Sequence, residues 1–225
     1  MADAATRALR GRLTAHLSAD SVSPRAKIPY KARLLRECLL HRVSDLADSA
    51  CHVYRHGQII PAFILSRSAF ETAGVLFYLK KQIAASVASR TLANLDEEKL
   101  MRIMFGQKIA ESQYAAINVL TTLKYVNAFV ADGNENRAGA MTRFYDNMCE
   151  FAHPNYMGCV GTYMQELPEW RVVLGRQART PPASVGLRCL RVVIDLACDS
   201  ADHLERLNVD FRALCERELE SGKTP

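Results

Sequence analysis

The sequence lacks every short motif that would name its chemistry outright. There is no G-x-x-x-x-G-K-[ST] loop to cradle a phosphate, no G-x-G-x-x-G turn, no G-x-S-x-G elbow and no H-E-x-x-H helix. The seven cysteines contain no C-x-x-C pair and their number is odd, which argues against a disulfide framework or a zinc knuckle and for reduced thiols in a cytoplasmic protein. The first residues, MADAATRALRGRL, lack the apolar core of a secretory signal. No repeat of 20 to 50 residues and no low-complexity block interrupts the chain. Apolar runs of membrane-spanning length are also scarce: residues 59–79 form one such run, but Pro61, Arg67, Glu71 and Gly74 lie inside it and no second run follows. A buried core helix is therefore expected there, and no membrane partner.

What is present is a chain of 225 residues, 49% hydrophobic, enough for one substantial core. Its net charge of +5 is uneven. Residues 1–42 hold nine Lys or Arg (7, 10, 12, 25, 27, 31, 33, 36 and 42) against Asp3, Asp20 and Glu37, and the remainder is close to neutral. Clustered cations suit a phosphate backbone. These, however, are interrupted by Leu and Ala at helical spacing with no aromatic interleaved, which equally describes a solvated helix face.

The hydrophobic periodicity is helical almost throughout. Leu9, Leu13 and Leu17 mark an amphipathic helix over 2–19, able to dock or swap, before a linker with Pro24 and Pro29. Leu39, Val43, Leu46, Ala50 and Val53 define a long helix over 30–56, capped by Gly57, and Pro61 suits the first turn of a partner running from about residue 60 into the 80s. Asp96-Glu97-Glu98 opens a helical pattern that continues to Val130, with Gly106 a point of interruption, before the Asp132-Gly133-Asn134 break. A shorter helix over 137–152 must stop ahead of Pro154. Residues 155–182, rich in Gly and Pro around YMQELPEW and RVVLG, read as a loop with one small β-hairpin. Leu190, Ile194, Ala197, Ala201, Leu204, Asn208, Phe211 and Cys215 then mark a seam along a final helix over 183–220. The expected fold is an all-α, antiparallel up-and-down bundle: one domain over 30–220, an N-terminal helix and linker over 1–29, and a disordered tail over 221–225. The long C-terminal helix is free to project or to pair in a homodimer.

Two clusters can carry chemistry. Arg67 and Glu71, four apart, share one face of the apolar helix and must be paired or line a cleft. The segment Arg143-Phe-Tyr-Asp-Asn-Met-Cys-Glu-Phe-Ala-His153-Pro-Asn155-Tyr156 is the densest polar stretch. On a helix, Asp146, Cys149, Glu150 and His153 share a side, while Tyr145 and Met148 turn elsewhere. His153 at the helix exit is favoured as a cation by the dipole and by Asp146 and Glu150, as a proton donor or simply as a cap. A stripe of His41, Asp45, Asp48, His52 and His56, and Cys149 with His153 and Cys159, have partial metal spacing; the stripe lies opposite the apolar seam, so a solvated face is expected and no metal or other cofactor.

The R-S-A-F-E of the second long helix, followed by Y-D-N-M-C-E-F-A-H-P-N-Y before a glycine-containing loop, resembles a branch of the HEPN-like helical domains over roughly residues 30–215. That superfamily is a small antiparallel bundle, often dimeric. Many members are metal-independent ribonucleases of toxin or antiphage systems, and others are non-catalytic nucleotide- or protein-binding modules. The resemblance implies RNA or nucleotide binding, a metal-independent endoribonuclease activity, or in its place a non-catalytic oligomerisation or protein-interaction module. On the ribonuclease branch His153 would be general acid or base, Arg67 would stabilise phosphorane charge with Glu71 orienting it, and Asn147 would position the phosphate. Tyr145, Asn155 and Arg143 complete the candidate binding set. The sequence departs from the ribonuclease pattern: where that motif places an arginine four to six residues before the histidine, this chain has Asp146, Asn147 and Met148, and Arg143, ten positions upstream of His153, points about 80° away.

Overall fold

A computed structural model describes residues 2–107, 113–131, 134, 137–175 and 183–222. The described chain is predominantly α-helical. It comprises α1 (Ala2–Arg10), α2 (Ala19–Val22), α3 (Lys27–Arg55), α4 (Ile59–Ser89), α5 (Glu97–Phe105), α6 (Val119–Ala131), α7 (Ala140–Ala152), α8 (Gly161–Tyr163), the hairpin β1 (Met164–Leu167) and β2 (Arg171–Leu174), and α9 (Ala183–Glu220).

The α3–α4 hairpin forms because Gly57, at φ +70°, takes a left-handed position that a side chain would oppose, with its N–H bonded to the Tyr54 carbonyl at 3.0 Å. α4 is the central helix, packed on α3, α6, α7 and α9. That explains a composition apolar on all sides: it is the one described helix long and apolar enough to cross a membrane, yet more than half of its most apolar stretch is buried inside the bundle. Three phenylalanines spaced by seven, all buried, stitch it to its neighbours. Phe63 stacks on Phe151 of α7 at 4.3 Å, Phe70 meets Phe144 of α7 edge-on at 5.3 Å, and Phe77 lies 5.3 Å from Phe129 of α6. α9 buries Leu190, Ile194, Ala197, Ala201, Leu204, Phe211 and Cys215, the seam expected from its sequence, with Asn208 half-buried.

Three expectations need correction. The first helix stops at Arg10 rather than 19; of the two arrangements open to it, it docks, with Leu9 and Ala5 buried in the common core against α3 and α9. α3 begins at Lys27, because Pro29 fits within a first helical turn, where its missing N–H is not needed. The pattern over 97–130 is two helices. α5 ends at Phe105 because the chain folds back so tightly that a Cβ on Gly106 would lie 2.7 Å from the Ala116 Cα, and Asn118 restarts the helix by accepting the Leu120 N–H at 2.9 Å. Gly133, Pro181, Pro182 and residues 223–225 of the expected tail lie outside the described residues.

The basic N-terminal third finds its counter-charges within the fold. Arg10 pairs with Asp48, Arg12 with Asp202, Arg25 with Glu220, Lys31 with Glu97, and Arg33 and Arg36 with Glu37 and Glu205. Half of these carboxylates, Asp202, Glu205 and Glu220, belong to α9, so part of the charge asymmetry of the sequence is an internal complement between its first and last helices. The exposed pairs each contribute little.

Candidate functional site

Between α4 and its neighbours lies an open cleft of about 400 Å³, floored by Arg67, Ser68, Glu71 and Thr72 of α4 and walled by Arg42 of α3, Ile103 of α5, Ile117 and Val119 at the start of α6, and Tyr145 of α7. The i, i+4 spacing of Arg67 and Glu71 places Arg67 Nε 3.1 Å from Glu71 Oε1. Tyr145 closes a triangle: its Oη donates to Glu71 Oε1 at 2.8 Å and accepts from Arg67 Nη2 at 3.1 Å, with the guanidinium 5.3 Å from the ring centroid. The two charges are paired as their sequence demanded, but they are partly open to the cleft, 27% and 37% exposed, rather than buried all round.

The tyrosine is the buried member. Burial first, and then its hydrogen bond to the Glu71 carboxylate, push the Tyr145 phenol up to about 12, so it remains a donor across the physiological range. Burial also raises the neighbouring Cys149 thiol, leaving it protonated and weakly nucleophilic. Tyr145→Phe keeps the ring against Phe70, 6.1 Å away, and deletes only the hydroxyl. Its expected effect is a loss of about 1–2 kcal/mol in urea unfolding, the worth of two partly exposed hydrogen bonds. Because the folded pKa lies above that of an unfolded tyrosine, the wild-type advantage is fully present below about pH 10. It fades as pH rises through about 12. A difference between the two proteins that is constant through alkaline pH would contradict this.

Arg42 is the cation that the cleft leaves unneutralised. Its Nε donates to Thr72 Oγ1 at 3.2 Å, and Thr72 in turn donates to the Ser68 carbonyl at 2.8 Å. Among the described residues no carboxylate pairs with it, so the cleft presents two guanidiniums against the single carboxylate of Glu71 together with the hydroxyls of Ser68, Thr72 and Tyr145. Reasoning from the sequence missed Arg42, Ser68 and Thr72. A signal was available: Arg42 and Thr72 each lie fifteen residues from Gly57, and an antiparallel helical hairpin brings equidistant residues together.

The polar cluster of α7 is divided by the fold. Tyr145 and Met148 face the core, whereas Asp146, Asn147, Glu150 and His153 face solvent. Tyr145 thus joins Arg67 and Glu71, and the other candidates do not. His153 caps the helix through its own N–H to the Cys149 carbonyl at 2.9 Å. Asn155 donates to Glu150 at 2.7 Å and accepts the Gly158 N–H at 3.0 Å, holding the turn that follows, and Arg143 donates to the Ala138 carbonyl at 2.9 Å. Neither these residues nor Asn147 line the cleft.

No known family matches this sequence, and neither a curated protein nor a solved structure is significantly similar to it. The histidine stripe of α3 finds local partners: Asp48 pairs with Arg10, His41 contacts the Thr14 carbonyl at 3.1 Å, and His56 contacts the His52 carbonyl at 2.9 Å with the two rings 4.5 Å apart. Among the described residues no group of three or more His, Cys, Asp or Glu converges as a metal site.

Proposed function

We propose that the protein binds RNA or a nucleotide through phosphate, held between Arg42 and Arg67 in the cleft of α3, α4 and α7, in a cytoplasmic setting. The observation that carries this reading is Arg42, a guanidinium lining a cleft with a hydroxyl as its sole partner among the described residues. A planar fork of that kind matches a phosphate, and Ser68, Thr72 and Tyr145 supply hydroxyls around it. The resemblance of R-S-A-F-E and Y-D-N-M-C-E-F-A-H-P-N-Y to HEPN-like domains supports the same ligand class, along with the toxin or antiphage setting in which many of those domains act.

Binding has more support than cleavage. A ribonuclease step needs an acid and a base beside the phosphate, and His153 stands outside the cleft. Fluorescence anisotropy of labelled single-stranded RNA and of AMP tests the binding directly. Arg42→Ala is expected to weaken affinity about tenfold or more, the worth of a charge-assisted hydrogen bond, and wild-type affinity is expected to fall steeply with salt. His153→Ala is expected to bind like the wild type. Equal affinity of the Arg42→Ala and wild-type proteins would sink the proposal.

A second reading, a non-catalytic oligomerisation or interaction module, is favoured by the hairpin. Trp170 is 92% exposed at its tip, all four residues of β2 are exposed, and Tyr156, Met157, Val160 and Tyr163 add apolar surface just before it. Contiguous exposed apolar surface of this kind marks a contact site. Sedimentation that depends on concentration, and loses that dependence in Trp170→Ser, would select this reading.

A further inference from the structure

About 20 Å along α4 from Arg67, a second group of cations meets an aromatic surface. Lys80 is buried, its ammonium 2.9 Å from Asp199 of α9, 4.1 Å from the Phe77 centroid and 4.8 Å from that of Phe129 on α6. Lys81 lies 5.7 and 5.9 Å from the same two rings. His203 and Arg206 approach from α9, one turn beyond Asp199 and two turns beyond it. Neither Lys81 nor Arg206 has an ion-paired carboxylate among the described residues: Asp202 is engaged by Arg12, Glu205 by Arg33 and Arg36, and Asp210, one turn beyond Arg206, forms no ion pair with it.

We propose that Lys81, His203 and Arg206, with the half-exposed Phe129 ring beside them, form a second ligand site that takes a phosphate carried next to a nucleobase. The charge balance favours an anion, since among the described residues only one ion pair, Lys80 with Asp199, offsets the cations Lys80, Lys81 and Arg206. The ring favours a base: Phe129 keeps 47% of its surface in water despite lying over two lysines, and a base stacked on it would sit within reach of the same cations that hold its phosphate. The imidazole reports the field of the site. Burial first, then Lys80 and Arg206, with Lys81 adding to them and Asp199 opposing, hold His203 below its ordinary pKa. An anion seated among these groups draws that pKa back up, so its affinity rises as pH falls and the imidazole takes up its proton. This site shares no residue with the Arg42 cleft and does not rest on it.

The test follows the His203 ring proton by NMR as the full-length protein is titrated with inorganic phosphate, AMP and a ten-residue oligouridylate. AMP or the oligonucleotide is expected to raise the His203 pKa. The Lys81→Ala/Arg206→Ala double variant is expected to weaken that binding about tenfold. Phe129→Leu is expected to weaken AMP about fivefold while leaving inorganic phosphate unchanged. Comparable affinity for AMP and the oligomer identifies a free nucleotide as ligand, and much tighter binding of the oligomer identifies a strand. Arg42→Ala is expected to leave the His203 titration as it is, so the two sites fail separately. A His203 resonance unmoved by all three ligands, or moved equally in the double variant, overturns the proposal.

Discussion

Phe70→Ala is expected to lower unfolding free energy by about 3–5 kcal/mol, the usual loss for a phenylalanine removed from a packed core. Phe70 is fully buried, and it is the residue on which α7 is seated: Phe144 meets its edge at 5.3 Å and Tyr145 lies 6.1 Å away. The substitution therefore acts on the site as well as on the core. Once α7 loses that support, the Tyr145 hydroxyl no longer has a fixed approach to Glu71 and Arg67, and the high tyrosine pKa of the folded protein should fall toward its ordinary value. Urea unfolding gives the first effect and spectrophotometric titration of the tyrosines the second. Phe70→Leu, which refills most of the volume, should restore much of both. A large loss of stability with Tyr145 still titrating near 12 would show that α7 is held by other contacts, Phe63 on Phe151 foremost.

Arg36→Ala should be almost as damaging, at about 3 kcal/mol, for an electrostatic reason. Arg36 and Glu37 are both buried at the junction of α3 and α9. Arg36 donates to the Ala201 carbonyl at 3.2 Å and pairs with Glu37 and with Glu205 at 3.3 Å. Removing it leaves the Glu37 carboxylate buried with Arg33 alone, whose Nε lies 3.0 Å away but is not aligned for a hydrogen bond. The guanidinium itself is strained by its setting, since burial and the neighbouring Arg33 lower its pKa. That makes the pair a specifier of how α3 meets α9 more than a source of net stability. Replacing both partners, Arg36→Met with Glu37→Met, is accordingly expected to unfold within about 1 kcal/mol of wild type. A double variant as unstable as the single one would assign the loss to packing instead of charge.

These two positions show why some of the molecule was legible in its sequence. Phe63, Phe70 and Phe77 recur every seven residues, and a strictly local period is enough to announce a helix with a packed face. The seam of α9 was readable for the same reason, and the hairpin because Gly and Pro punctuate the stretch around it. Arg67 and Glu71 could be paired from their spacing alone. Tyr145 was harder: helical geometry groups it away from His153, but nothing local says which of the two groups turns toward α4. The fold decided that by seating Phe144 and Met148 in the core, which carried Tyr145 inward and left His153 at the rim. Arg36 was counted as part of a basic surface, because a charge tally does not register Glu205, which α9 delivers more than 150 residues later.

That distance along the chain sets the order of events at the ribosome. α1, α3 and α4 emerge well before the helix that covers them, and α9 supplies both the apolar seam against α4 and the acids that pair with Arg12, Arg25, Arg33 and Arg36. At about 5–20 residues per second, the stretch between Ser89 and the end of α9 takes several seconds or more to synthesise. For that interval the nascent protein carries a long, largely apolar α4 beside an uncompensated basic face. Until the final helix closes over both, apolar surface and unpaired cations stay open to water together, so α9 is the clasp of the fold.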